Sequence, residues 1–108
     1  MGIPVDACIA SRYSRVLIIG FRHEGLKQLF ESGDERKIHP DLIARIRAIL
    51  AHLDEARTIE DMRLPGLRLH PLKGGLKGYW SVTVSANWRI IFRFEGADVR
   101  EVDLIDYH

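Results

Sequence analysis

The sequence has one cysteine, Cys8, so no disulfide can form within the chain and no cysteine-based zinc cluster can be assembled. That usage points to a reducing, cytoplasmic setting. No apolar run approaches the ~20 residues needed to cross a bilayer. The apolar run at 16–20, VLIIG, is shorter than the ~7–15 residues of a signal-peptide core, so no membrane partner is expected. Internal repeats and low-complexity segments are also missing. Acid is missing from one third of the chain: between Met62 and Phe94 there is no Asp or Glu, but there are six basic residues, Arg63, Arg68, Lys73, Lys77, Arg89 and Arg93. The whole chain carries a formal net charge of only +1, so this block is a local bias, and a local basic bias suits a polyanionic partner.

What is present suffices for one domain with one core: 108 residues, 46% hydrophobic and 29% charged. Residues 1–15 show no period and are expected to form an N-terminal extension, either loosely ordered or covering a sheet edge. The domain is expected to span residues 16–108. Residues 16–21, apolar and β-branched, predict a buried strand. Leu26, Leu29 and Phe30 then give one apolar stripe of a helix over 23–31, which Gly33 ends. Residues 40–53 predict a second helix, opened by Pro40, with Leu42, Ile43, Ile46, Ile49, Leu50 and Leu53 at helical spacing. Buried side chains of this kind contribute ~1.5–3 kcal/mol each, so this helix should supply much of the core. Thr58 and Asp61 have the spacing of a capping box.

Strands are predicted over 68–72, 79–84, 88–95 and 99–105. In the third, Trp88, Ile90, Phe92 and Phe94 alternate with Arg89, Ile91 and Arg93, which puts the two arginines on one face. The order of elements predicts an α+β domain: two N-terminal helices packed on one face of a mainly antiparallel sheet. Arg89 and Arg93 belong to the opposite face.

Four groups could carry chemistry. His70, sharing a predicted strand face with Arg68 and followed by Lys73, suits general acid–base work, although a histidine there could equally cap a turn. The glycine-rich run from Lys73 to Gly78 could let backbone N–H groups approach phosphate and adds Lys77, although it lacks the ending of a P-loop and also reads as a flexible hairpin loop. Arg89 and Arg93 offer planar forks that match phosphate, or a merely solvated face. The ending Asp106, Tyr107 and His108 closes a strand with three hydrogen-bonding side chains, and Asp106 could orient a histidine. The five histidines form no metal-binding motif, so no metal and no cofactor are expected. Three function classes remain open on these residues: a ribonuclease, a non-catalytic RNA- or ribosome-binding module, and a protein whose basic face receives an acidic partner.

The segments FRHEGL at 21–26, LPGLRLHPLKG at 64–74, WSVTVSANWRI at 80–90 and DYH at 106–108 resemble, in order, the HigB-type plasmid-maintenance killer toxins of the RelE-like superfamily. The resemblance runs from about residue 17 to 108. It implies a small microbial-ribonuclease-like fold and a ribosome-dependent mRNA endonuclease, or mRNA interferase, acting in the ribosomal A site beside ribosomal RNA. It also implies a HigA-like helix-turn-helix antitoxin as partner. The family's site residues fall on His70, Lys73, Asp106, Tyr107 and His108, with Arg89 as a phosphate-contacting or structural arginine; Arg68, Lys77 and Arg93 are added from the charge pattern. Residues 1–15 lie outside the resemblance, as a real extension or an upstream start would leave them.

Overall fold

The computed structural model describes residues 18–96 and 98–106. Helix α1 spans Glu24–Ser32 and helix α2 spans Ile43–Glu55. Strands β1 (His70–Pro71), β2 (Trp80–Thr83), β3 (Trp88–Glu95) and β4 (Asp98–Asp106) form one antiparallel sheet in the order β1-β2-β3-β4. Residues 18–22 run parallel to β4 along its outer side: Ile18 bridges Val99 and Phe21 bridges Val102, and Ile19 N–H donates to Val99 O at 2.7 Å.

The ends of α1 are chemically specified. His23 is extended, and its Nδ1 accepts from Leu26 N–H at 3.2 Å, satisfying one amide that the helix leaves without a partner. Gly25 follows because no side chain fits: a Cβ there would lie 2.8 Å from the His23 ring and 2.9 Å from Lys37 Cβ. Gly33 closes the helix at φ 75°, its N–H reaching Gln28 O and Leu29 O. Leu26 and Leu29 are buried, while Phe30 stacks obliquely on Phe21 at 5.6 Å between ring centroids.

The run 40–53, expected as one helix, is divided. Pro40–Leu42 makes a 3₁₀ turn, with the His39 side chain accepting from Asp41 N–H, and the α-helix starts at Ile43. Tight 3₁₀ turns are common at helix starts, where the first amides have no partner four residues back. The apolar stripe itself behaves as expected: Ile46, Ile49, Leu50 and Leu53 are buried against the sheet residues Val82, Ile90 and Phe92, with Trp88 packed at the rim. The Thr58–Asp61 capping box forms and opens the 3₁₀ turn Ile59–Met62.

The expected strand over 68–72 shrinks to two residues. Arg68 takes a left-handed backbone (φ 53°), which interrupts the extended run, and Pro71 has no N–H to donate. The segment still follows β2 outside the ladder: Thr83 N–H donates to Leu67 O at 2.7 Å and Leu72 N–H to Tyr79 O at 2.9 Å. Arg68 and His70 therefore do not sit in one strand row.

Pairing of β3 with β4 shifts register between Ile91, opposite Asp103, and Arg93, opposite Arg100. Two steps on β3 face three on β4, and the additional residue is Glu101, whose φ is 55°. This bulge lets Val99 and Val102, three residues apart, both lie fully buried in the same core, which strict alternation forbids.

Candidate ribonuclease site on the basic half of the sheet

The face turned away from the helices is not uniformly polar. Tyr79, Ser81 and Ile91 are buried there, and His70, Ser81, Ile91 and Asp103 form one cross-strand row. His70 stands at the exposed end of that row. Its Nδ1 lies 3.0 Å from Arg68 O. A carbonyl only accepts, so in this contact Nδ1 carries the proton and, in the neutral ring, Nε2 presents its lone pair outward. Lys73 is exposed just past β1, before a 3₁₀ turn over Gly74–Leu76, and Lys77 is exposed just after it. Gly74 (φ 67°) and Gly78 (φ 97°) make this reversal possible.

The two arginines of β3 leave their common strand face for different surroundings. Arg89 folds back on the β2–β3 turn, and its Nη1 donates to Ser85 O at 3.1 Å and Ala86 O at 3.3 Å. Arg93 lies over the Tyr79 ring, its guanidinium carbon 5.3 Å from the ring centroid, and pairs with Glu95 at 3.7 Å and Glu101 at 3.9 Å. Tyr79 Oη accepts from Arg22 Nη1 at 3.1 Å and donates to Glu101. That hydroxyl, with the nearby negative charge, raises the pKa of the Arg22 guanidinium above its ordinary value. Arg93 thus belongs to a cluster with two carboxylates, whereas Arg68 and Arg89 share a different location.

That location is a shallow cleft of about 410 Å³ between α2, the segment after residue 66, and the β2–β3 turn. Arg68, Arg89 and a third arginine, Arg45, line it, together with Thr83, Ser85 and Ala86. Arg45 Nη2 donates to Gly66 O at 3.0 Å. The sequence pattern assigns Arg45 only to the polar side of α2. Its position one residue before the fully buried Ile46 is the single available hint that it flanks the core.

Asp106 ends β4 opposite Trp88, exposed, with β2 and β3 between its strand and that of His70. Tyr107 and His108, the other two members of the expected terminal group, lie outside the described residues, as do residues 1–15. Among the described residues no helix is long and apolar enough to cross a membrane.

Comparison with known proteins gives the family. The family model described as HigB-like toxin, a RelE-like toxin of the type II toxin–antitoxin system HigB, matches residues 19–108. The chain is 42% identical over 92 residues to the endoribonuclease HigB of Proteus vulgaris, covering 85% of this chain and all of that protein. It is 31% identical over 80 residues to toxin HigB-1 of Vibrio cholerae serotype O1, covering 72% of this chain and 84% of the other. Among solved structures, a mutant form of YafQ from E. coli superposes with a TM-score of 0.59 at 20% identity, covering 82% of this chain and 90% of that one, a likeness of fold alone. A family model matched over residues 19–108 and 42% identity along the whole of a HigB endoribonuclease show that the chain belongs to the HigB-like toxins of type II toxin–antitoxin systems.

Proposed function

We propose that this chain is an endoribonuclease that cuts messenger RNA in the ribosomal A site, and that a HigA-like helix-turn-helix antitoxin neutralises it. The observation that carries the catalytic reading is the exposed His70 ring, anchored through Nδ1 on the Arg68 carbonyl at 3.0 Å, which in the neutral ring leaves Nε2 as an acceptor. Relatedness to the Proteus vulgaris endoribonuclease supports the substrate class.

In this reading His70 Nε2 takes the proton of an RNA 2′-OH. The 2′-oxygen attacks the adjacent phosphorus, a bond to the 5′-oxygen breaks, and His108 protonates that leaving oxygen. Lys73 and Arg89 stabilise the charge of the phosphorane, with Asp106 supporting His108 and Tyr107 stacking on or hydrogen-bonding the target nucleotide. Arg68, Lys77 and Arg93 complete the phosphate-binding surface, Arg93 after exchanging its carboxylate partners. The products are a 2′,3′-cyclic phosphate and a free 5′-OH.

Inducible expression in cells, followed by mapping of mRNA 5′ ends, tests this. New 5′-hydroxyl ends confined to translated regions are expected. Ribosome binding with no new ends would instead make the protein a non-catalytic binding module.

A further inference from the structure

We propose that Glu95 and Glu101 act as an internal anion that competes with an RNA phosphate for Arg93, and so limit how tightly the protein holds RNA. This rests on the endoribonuclease reading above and gives a role to the carboxylates beside its site. Arg93 stands two residues past Ile91 on β3, and Tyr79 two before Ser81, so the pair forms the row next to that of His70 on the same face. Neighbouring rows lie about 7 Å apart along a strand. The Arg93 guanidinium rests on the Tyr79 ring, 5.3 Å from its centroid. It also lies so close to Gly78 that a Cβ there would come within 3.2 Å of Nη2. The missing side chain of Gly78 thus leaves room for the arginine beside the turn that carries Lys73 and Lys77.

The contacts of Arg93 are suited to exchange. Both of its ion pairs run through Nε, at 3.7 Å to Glu95 and 3.9 Å to Glu101, and the side chain is 35% exposed. Long, partly exposed pairs of this kind are weak. A phosphate, by contrast, can take two donors of the fork at once. Giving up Arg93 leaves neither carboxylate stranded. Glu101 meets Arg93 through Oε2, while its other oxygen, Oε1, accepts from the Tyr79 hydroxyl. Glu95 also pairs with Arg100, whose Nη1 lies 3.5 Å away. Glu101 is therefore held independently of Arg93, on a left-handed backbone (φ 55°) at the bulge of β4. Sparsely populated backbone conformations of this sort persist where the surrounding structure holds them. A phosphate that reaches Arg93 meets two negative charges that stay nearby, and their repulsion subtracts from the binding.

The test uses the full chain with Glu95→Gln and Glu101→Gln, each made also on an Arg93→Gln background. Glutamine keeps an oxygen that accepts from Tyr79 Oη, and urea unfolding checks that the fold is retained. Binding at low salt is measured with a short single-stranded RNA carrying 2′-methoxy groups, which cannot be cut. Each substitution should raise affinity about two- to fivefold, the range that exposed ion pairs cover. On the Arg93→Gln background that gain should vanish, because the effects of groups sharing one partner are not additive. Unchanged or lowered affinity in both glutamine variants overturns the proposal. An equal gain with and without Arg93 overturns it too, since that is the general effect of removing negative charge. Failure of every chain to bind the RNA has the same consequence. Whether wild type generates new 5′-hydroxyl ends in cells decides the endoribonuclease reading separately: with them it stands whatever the glutamine variants do, and without them it falls and the proposal with it.

Discussion

His70 and Arg68 are joined through the Arg68 backbone: Nδ1 of the histidine lies 3.0 Å from the carbonyl of Arg68, a residue whose own backbone is left-handed at φ 53°. In the neutral ring this contact puts the proton on Nδ1 and leaves Nε2 as the acceptor. His70→Ala should therefore lower the single-turnover rate of RNA cleavage by about 10²–10⁴-fold, the usual contribution of a positioned general base. The ring is exposed, so the thermal melting temperature should stay within a degree or two of wild type. A cleavage rate equal to wild type would remove His70 from the chemistry.

Deleting Tyr107 and His108 addresses the other half of the reaction. The core is formed by α1, α2 and the sheet up to Leu104, so the shortened chain is expected to fold. It should no longer arrest growth or generate 5′-hydroxyl ends. Full toxicity of the folded, shortened protein would move the acid to another group.

Ile46 has no exposed surface and packs in the core from the first turn of α2. Ile46→Asp buries a carboxylate with no partner, which costs several kcal/mol, a large share of a small domain's stability. Circular dichroism should show an unfolded chain at room temperature. An unchanged melting curve would contradict the packing.

Tyr79 ties three segments together through one hydroxyl, accepting from Arg22 beside β4 and donating to Glu101 at the bulge. Tyr79→Phe keeps the ring under Arg93 but removes both hydrogen bonds. Urea unfolding should show a loss of about 1–3 kcal/mol. A urea curve for Tyr79→Phe equal to that of wild type would mean that the hydroxyl contributes nothing.

Asp34 provides a pH test. Arg36 donates to it from its side chain and its backbone N–H, which holds the carboxyl at about 2 against an ordinary value of 3.8. The folded value is below the unfolded one, so the contribution to stability is present above 3.8 and lost as pH falls through about 2. Asp34→Asn should be less stable than wild type near neutral pH, and the gap in urea midpoint should close as the solution approaches pH 2. A gap independent of pH would show that the pair is not the cause.

The sequence alone determined the elements whose signals are local. The stripe of α2, the His23-to-Gly33 span of α1, the capping box at Thr58 and the alternation of Trp88, Ile90 and Phe92 each lie within a few residues, because helix and strand periods are short. The catalytic histidine candidate, the basic bias of residues 62–94 and the family resemblance were legible for the same reason. Tertiary structure decided what those charges do. Arg89 and Arg93 share a strand face, yet one turns to carbonyls of the β2–β3 turn and the other to Glu95 and Glu101, because a long guanidinium side chain goes to whichever acceptors the neighbouring strands bring within reach. Arg45 joined the cleft only because α2 packs with that flank toward residue 66. Val99 and Val102 reached the same core through a bulge at Glu101, which one strand's own pattern does not contain, since register belongs to a pair of strands and not to either alone.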